Sequence, residues 1–161
     1  MLHARVIPPE GGDTLFADTT RAYADLPEET KERLAGLKCV HDWKRSREKS
    51  HERPATEDEI RAAPPVVHPV IRTHPETGEK ALYLGNHTAC IVGMGWDESD
   101  ALIAELEAHA TQQQYIYRHK WQVDDVMMWD NRCTMHCVEP YDAANEKRAV
   151  HRVVVKGDRP F

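Results

Sequence analysis

The sequence predicts a mainly β fold with helical insertions, its strands closing into a sandwich or barrel. Three observations carry this expectation. Short alternating or apolar runs recur along the whole chain. A Pro-Glu-Thr-Gly turn separates two of them as a hairpin. Helical signals are confined to two stretches, one near the N-terminus and one after residue 97.

Taken in order, residues 2–7 alternate and are β-branched enough to form a strand, stopped by Pro8-Pro9. Gly11-Gly12-Asp13 reads as a turn leading into Thr14-Leu15-Phe16. A helical stretch follows over residues 19–37, with Pro27 suited to the first turn of its second half and Gly36 to its end. Residues 38–43 read as a short strand. Residues 44–63 are charged and poor in large apolar side chains, which predicts a solvated surface excursion. Residues 66–73 and 80–84 flank His74-Pro75-Glu76-Thr77-Gly78 as a hairpin. Asp97 or Ser99 can cap a helix whose Leu102, Ile103, Leu106 and Ala110 share one face. Three further strands are expected over residues 115–121, 125–129 and 148–156. No internal repeat or low-complexity tract interrupts the pattern.

With 161 residues the chain fits one domain, and a chain of that size buries roughly 70% of its unfolded surface. A composition 40% hydrophobic and 30% charged is that of a globular protein. The net charge of −6, with both signs interspersed, leaves no basic footprint for nucleic acid and no polybasic arm for an anionic membrane. No apolar run approaches the ~18 residues of a membrane span, and the N-terminus has no secretory apolar core. The expected location is the cytoplasm, and a homo-oligomer is left open. Cys39, Cys90, Cys133 and Cys137 are expected as reduced thiols. Cys133, His136 and Cys137 are too tightly spaced, and lack the second ligand pair, for a structural zinc site.

The chemistry concentrates in the last thirty or so residues. Asp130-Asn131-Arg132-Cys133-Thr134-Met135-His136 places a histidine just after the apolar run 126–129. On the final strand, period two puts Arg148, Val150, Arg152 and Val154 on one face and Ala149, His151, Val153 and Val155 on the other. Valines on both faces predict that both are partly buried. The two arginines are then roughly 13 Å apart at ~3.3 Å per residue. A partly buried guanidinium needs an anion, because an unpaired buried charge is costly. Bound carboxylates would supply two such anions; surface acids on an exposed sheet edge would do so equally well.

The run Met128-Trp129-Asp130-Asn131-Arg132-Cys133-Thr134-Met135-His136, followed by Arg148 and Arg152, resembles the C-terminal signature of the taurine/2,4-dichlorophenoxyacetate dioxygenase family. Pro8-Pro9-Glu10-Gly11-Gly12-Asp13-Thr14, the stretch from His68 to Leu82, and His109-Ala110-Thr111-Gln112 resemble the same family in the same order. The resemblance implies a double-stranded β-helix, or jelly roll, and dependence on Fe(II), 2-oxoglutarate and O₂. It implies that His136 is the distal histidine ligand of the metal. Thr14 and Arg148 would grip the distal carboxylate of 2-oxoglutarate, and Arg152 would meet an anionic group of a small organic substrate, a sulfonate or an aryloxy or alkyl carboxylate. His87, in Gly85-Asn86-His87-Thr88, is a candidate for the border of the substrate pocket. His109, His119 and His151 are assigned no role, and Trp121 and Trp129 are read as core.

The family's other two ligands come from a His-x-Asp motif ahead of the Gly-Gly-Asp-Thr segment, and the residues before Gly11 hold none. His74-Pro75-Glu76, the nearest pattern, falls at the hairpin turn and is not read as a ligand pair. The jelly roll is therefore expected to be incomplete and the chain inactive alone. The alternative is a non-catalytic remnant that binds an anion or a partner subunit.

Overall fold

The computed structural model describes residues 1–49, 53–157 and 160. Strand β1 (Leu2–Val6) buries Leu2 and Ala4 and turns Arg5 outward, the alternation expected of a half-buried strand. It pairs antiparallel with β9 (Val126–Met127) on one side and β11 (Ala149–Arg152) on the other. A second three-stranded sheet has β2 (Thr14–Asp18) at its centre, between β8 (Ile116–His119) and β10 (Thr134–Val138). A third orders β4 (Val66–Pro69), β3 (Lys38–His41) and β7 (Thr88–Ile91), and a ribbon pairs β5 (Ile71–Thr73) with β6 (Lys80–Leu82). All these pairings are antiparallel.

The helical stretch over residues 19–37 divides into α1 (Thr19–Ala24) and α2 (Glu28–Leu34). The Asp18 carboxylate caps α1, accepting from the N–H groups of Thr20 and Arg21 at 3.0 Å each. Pro27 precedes the first residue of α2, and Gly36 follows it with φ +76°, a left-handed conformation that favours glycine. Between β7 and β8, α5 (Trp96–Ala110) starts from Gly95 rather than from Asp97 or Ser99. Ser99 is buried inside the helix, its hydroxyl accepting the Ile91 N–H at 2.7 Å. The expected face is the one that packs: Leu102, Ile103, Leu106 and Ala110 are all buried. They join Leu34, Val70, Leu82 and Ile91 in the larger core, while Leu2, Ala4 and Trp121 anchor a smaller one under β1.

Several elements depart from the sequence expectation. Residues 44–63 carry two short helices, α3 (Trp43–Lys49) and α4 (Glu57–Ala62), with residues 50–52 outside the described part. The start signal of α4 was in plain sight: Thr56 and Glu59 form a capping box. The strand expected over 115–121 is shorter, because Gln113–Tyr115 forms a 3-10 turn. Strands β7 and β10 were not foreseen, and His136, expected just after the apolar run 126–129, lies within a strand of its own, β10. The final strand ends at Arg152, and Val153, Val154 and Val155 are 54, 57 and 88% exposed. Burial of both faces does not hold: within β11 Ala149 and Val150 are partly buried and His151 and Arg152 are exposed, and among the described residues β1 is its one neighbour.

Candidate active site

Strand β2 sets the register of the site. Across β10, Phe16 faces His136 and Thr14 faces Val138; across β8, Phe16 faces Tyr117 and Thr14 faces His119. Directly opposed residues share a face, so Thr14, Phe16 and His136 look the same way. The His136 ring lies 6.1 Å from Phe16 and 4.8 Å from Trp129, whose rings are themselves 5.1 Å apart. His136 is exposed, yet its contact with this aromatic corner partly desolvates the ring and lowers its pKa from the ordinary value. The Arg152 guanidinium and the N-terminal ammonium act in the same direction. This direction favours the neutral imidazole, the state that binds a metal.

The β1 sheet presents its inner face to this corner. Leu2 lies opposite Arg152, and Ala4 opposite Val150. The burial of Leu2, Ala4 and Val150 identifies the face that Val150 and Arg152 share by period two, and Arg148 stands just before β11, where the pairing with β1 is irregular. Arg148 donates from Nε to the Gly12 carbonyl at 3.0 Å and from a terminal nitrogen to Thr14 Oγ1 at 3.4 Å. Trp121 Nε1 donates to the same hydroxyl at 2.9 Å. With both lone pairs of Thr14 Oγ1 engaged, its proton remains free to be donated. A buried hydroxyl with a proton to give, beside a half-buried guanidinium, is matched to a carboxylate. Neither Arg148 nor Arg152 forms an ion pair among the described residues. Arg152 is exposed.

Glycine is required where this pair is assembled. Gly12 has φ +70°, and a Cβ there would stand 3.0 Å from Pro8 Cγ and 3.3 Å from Arg148 Cδ. The contribution of Trp121 was missed from sequence, where it read as core. It is both: 5% exposed, and a donor to Thr14.

The loop that delivers β10 is held by a network of charges. Asp130 accepts from Arg132 Nε at 2.9 Å and from its terminal nitrogen at 2.5 Å, while the other arm of Arg132 reaches Glu76 at 2.8 Å. His74 Nδ1 lies 3.3 Å from the backbone nitrogens of Glu76 and Thr77, so Nε2 carries the proton directed at Asp130, 3.2 Å away. Arg132 holds the Asp130 carboxyl far below the usual carboxylate range, against the opposing effect of its partial burial. This network ties the hairpin turn to the segment joining Trp129 to His136.

These residues do not complete a facial triad of two histidines and a carboxylate. His136 contributes one nitrogen. The only group of three candidate ligands among the described residues is His74, Asp130 and Cys133, which excludes it. There Arg132 already occupies Asp130, and burial followed by the charge of Asp130 raises the Cys133 thiol, opposing the thiolate a metal needs. His87 is not brought to the site. It is exposed in the turn before β7, where its carbonyl accepts the Asp42 N–H at 2.8 Å, on the third sheet. An open cavity of about 580 Å³ shares Phe16 and Trp129 with the aromatic corner and continues past Tyr117, Met127 and Met128.

Residues 1–154 match the model of the "Taurine catabolism dioxygenase TauD, TfdA family". The chain is 44% identical over 159 residues to the alpha-ketoglutarate-dependent 2,4-dichlorophenoxyacetate dioxygenase of Burkholderia sp. (strain RASC), covering 99% of this chain and 53% of that protein. It is 36% identical to the (S)-phenoxypropionate/alpha-ketoglutarate-dioxygenase of Sphingobium herbicidovorans, covering 96% and 56% respectively. Among solved structures, AAD-2 in complex with Mn(II) and N-oxalylglycine superposes with a TM-score of 0.92 at 41% identity, over 99% of this chain and 63% of that one. A taurine dioxygenase from Burkholderia xenovorans gives 0.81 at 34% identity, over 99% and 52%. The chain thus spans about half the length of the curated relatives it matches. Among the described residues, no helix is long and apolar enough to cross a membrane.

Proposed function

The chain belongs to the taurine catabolism dioxygenase TauD, TfdA family, and we propose that it is the C-terminal part of an Fe(II)- and 2-oxoglutarate-dependent dioxygenase that hydroxylates a small organic anion. The observation that carries this reading is the Thr14–Arg148 pair, built on the same inward side as His136. In this reading the two facing three-stranded sheets are portions of a jelly roll. The similarity to solved dioxygenase structures supports it.

Arg148 and Thr14 grip the distal carboxylate of 2-oxoglutarate, the guanidinium giving charge and the hydroxyl a directed proton. His136 would give one nitrogen to the iron, and two donors from outside residues 1–161 would complete the site. When bound, the iron would activate O₂, the oxidant, which takes two electrons from 2-oxoglutarate as it is decarboxylated to succinate and CO₂ and two from the substrate C–H bond. The protein's own task is to orient both carboxylate partners and to shield the reacting centre with Phe16 and Trp129. Arg152, whose charge is felt at His136, faces the anionic group of the substrate. An aryloxyalkanoate is the favoured class, since that is what the names of the 44% and 36% identical relatives specify; a sulfonate uses the same arginine chemistry.

Succinate release is the test. With Fe(II), 2-oxoglutarate and 2,4-dichlorophenoxyacetate, the 161-residue chain is expected to release none above a His136→Ala control. Release above that control would show that the iron site is complete within the chain or between its copies, against the proposed division of ligands.

A further inference from the structure

Arg72 is 4% exposed, an unusual position for a cation. It lies on β5 opposite Ala81 of β6. Its neighbours Ile71 and Leu82 turn into the larger core, so period two sends Arg72 to the opposite face of the ribbon. There its guanidinium carbon stands 5.0 Å from the centroid of the Tyr83 ring, which accounts for one face of the cation. Nothing accounts for its edge. Among the described residues Arg72 forms no ion pair, and its Nε, shielded from solvent, has no hydrogen-bond partner. The other rings against Tyr83 are those of His41 and His68, at 5.4 and 5.8 Å, and neither carries negative charge.

A guanidinium cannot relieve this by losing its proton. The contrast with Arg132 at the far end of the same hairpin is informative. Arg132 holds two carboxylates, Asp130 and Glu76, although it is more exposed than Arg72. Where the fold uses an arginine as a structural tie, it supplies the acids. At Arg72 it supplies an aromatic backing and leaves a planar row of donors unused, the arrangement that recognises a two-oxygen anion bidentately.

We propose that Arg72, backed by Tyr83, is an oxyanion-binding site for a carboxylate or sulfate-type group, using none of Thr14, His136, Arg148 or Arg152. The group arrives either as a free ion or on a polypeptide, such as a carboxylate of a second copy of this chain.

Two measurements on the 161-residue chain separate these sources and test both. In the first, thermal unfolding is followed in sodium acetate and sodium sulfate against sodium chloride at matched ionic strength. A free-ion site predicts that, at an anion concentration a hundred times its Kd, the folded-to-unfolded ratio rises about a hundredfold. Arg72→Met removes this rise, and Arg61→Met, on the exposed surface of α4, leaves it in place. In the second, sedimentation shows a component of self-association, beyond that driven by the exposed apolar strand edges, that Arg72→Met removes and acetate competes away. Arg72→Lys keeps the charge without the fork, and is expected to weaken either response at least tenfold. The proposal is overturned if Arg72→Met responds to acetate and sulfate as the parent does and associates as the parent does. An Arg72→Lys variant with full response would overturn bidentate recognition.

Discussion

Arg148 Nε donates to the carbonyl of Gly12 at 3.0 Å, although the two residues are 136 positions apart. That bond brings the Gly-Gly-Asp-Thr turn against the last strand, and it tolerates no side chain at residue 12. Gly12→Ala should therefore cost roughly 1–3 kcal/mol of stability from the left-handed backbone alone, measured by urea unfolding. It should also weaken carboxylate binding at Arg148. An alanine variant as stable as the parent would mean that Arg148 and the turn are not so closely joined.

Asp130 gives a prediction with a defined sign in pH. Its pKa is lowered by the Arg132 hydrogen bonds first, with His74 contributing further. A carboxylate lowered in the folded state contributes stability that is present above its unfolded value of about 3.9 and lost as pH falls below it. Asp130→Asn should cost about 1.5–3 kcal/mol at pH 7, the size of a lost charged hydrogen bond, and should make the acid limb of the stability curve shallower. Equal acid sensitivity of the two proteins would contradict this.

His41 acts in a neighbouring window. Burial first, then the charges of His68 and His87, lowers its pKa to about 4. A histidine that resists protonation when folded leaves the protein most stable above pH 6.5, and stability falls as pH drops towards 4. At about 1.4 kcal/mol per pKa unit the loss by pH 4 is of the order of 3 kcal/mol. His41→Gln should remove that part of the slope between pH 6.5 and 4, read from thermal midpoints across the range. A His41→Gln slope equal to that of the parent would refute it.

What could be read from the sequence followed from local pattern. The Pro-Glu-Thr-Gly turn forecast the β5–β6 ribbon, and the spacing of Leu102, Ile103, Leu106 and Ala110 forecast the face of α5. Period two placed Val150 and Arg152 on one side of β11, while Arg148 lies just before that strand. Strand β10 was hidden because Thr-Met-His-Cys-Val shows no alternation of burial; Cys137 and Val138 remain exposed. The charged helices α3 and α4 were hidden because they bury almost nothing, Ser46 apart. The pairing of Arg148 with Thr14 is a contact across 134 positions. No local signal encodes it, and only the resemblance to a family joined the two residues beforehand. Trp121 escaped because indole burial and indole hydrogen bonding look identical in a sequence.

Association is expected from the exposed apolar side chains. Val126 is 62% exposed, Met128 76% and Val155 88%, and β9 and β11 are edges of their sheet. Such edges and patches favour pairing with other chains. Sedimentation velocity at micromolar concentration should show oligomers or aggregates that shift with concentration. A monodisperse monomer with a sharp thermal transition would instead mark residues 1–161 as a self-sufficient domain.

The central claim is that Arg148 and Thr14 form a carboxylate grip of the 2-oxoglutarate type. Ligand-observed NMR with N-oxalylglycine, the compound present in the AAD-2 structure, tests it without requiring turnover or a complete metal site. Arg148→Met should weaken binding at least tenfold, Thr14→Val should weaken it by a smaller factor, and Arg152→Met should leave it within twofold of the parent. Equal binding by the parent and the Arg148→Met variant would contradict the account.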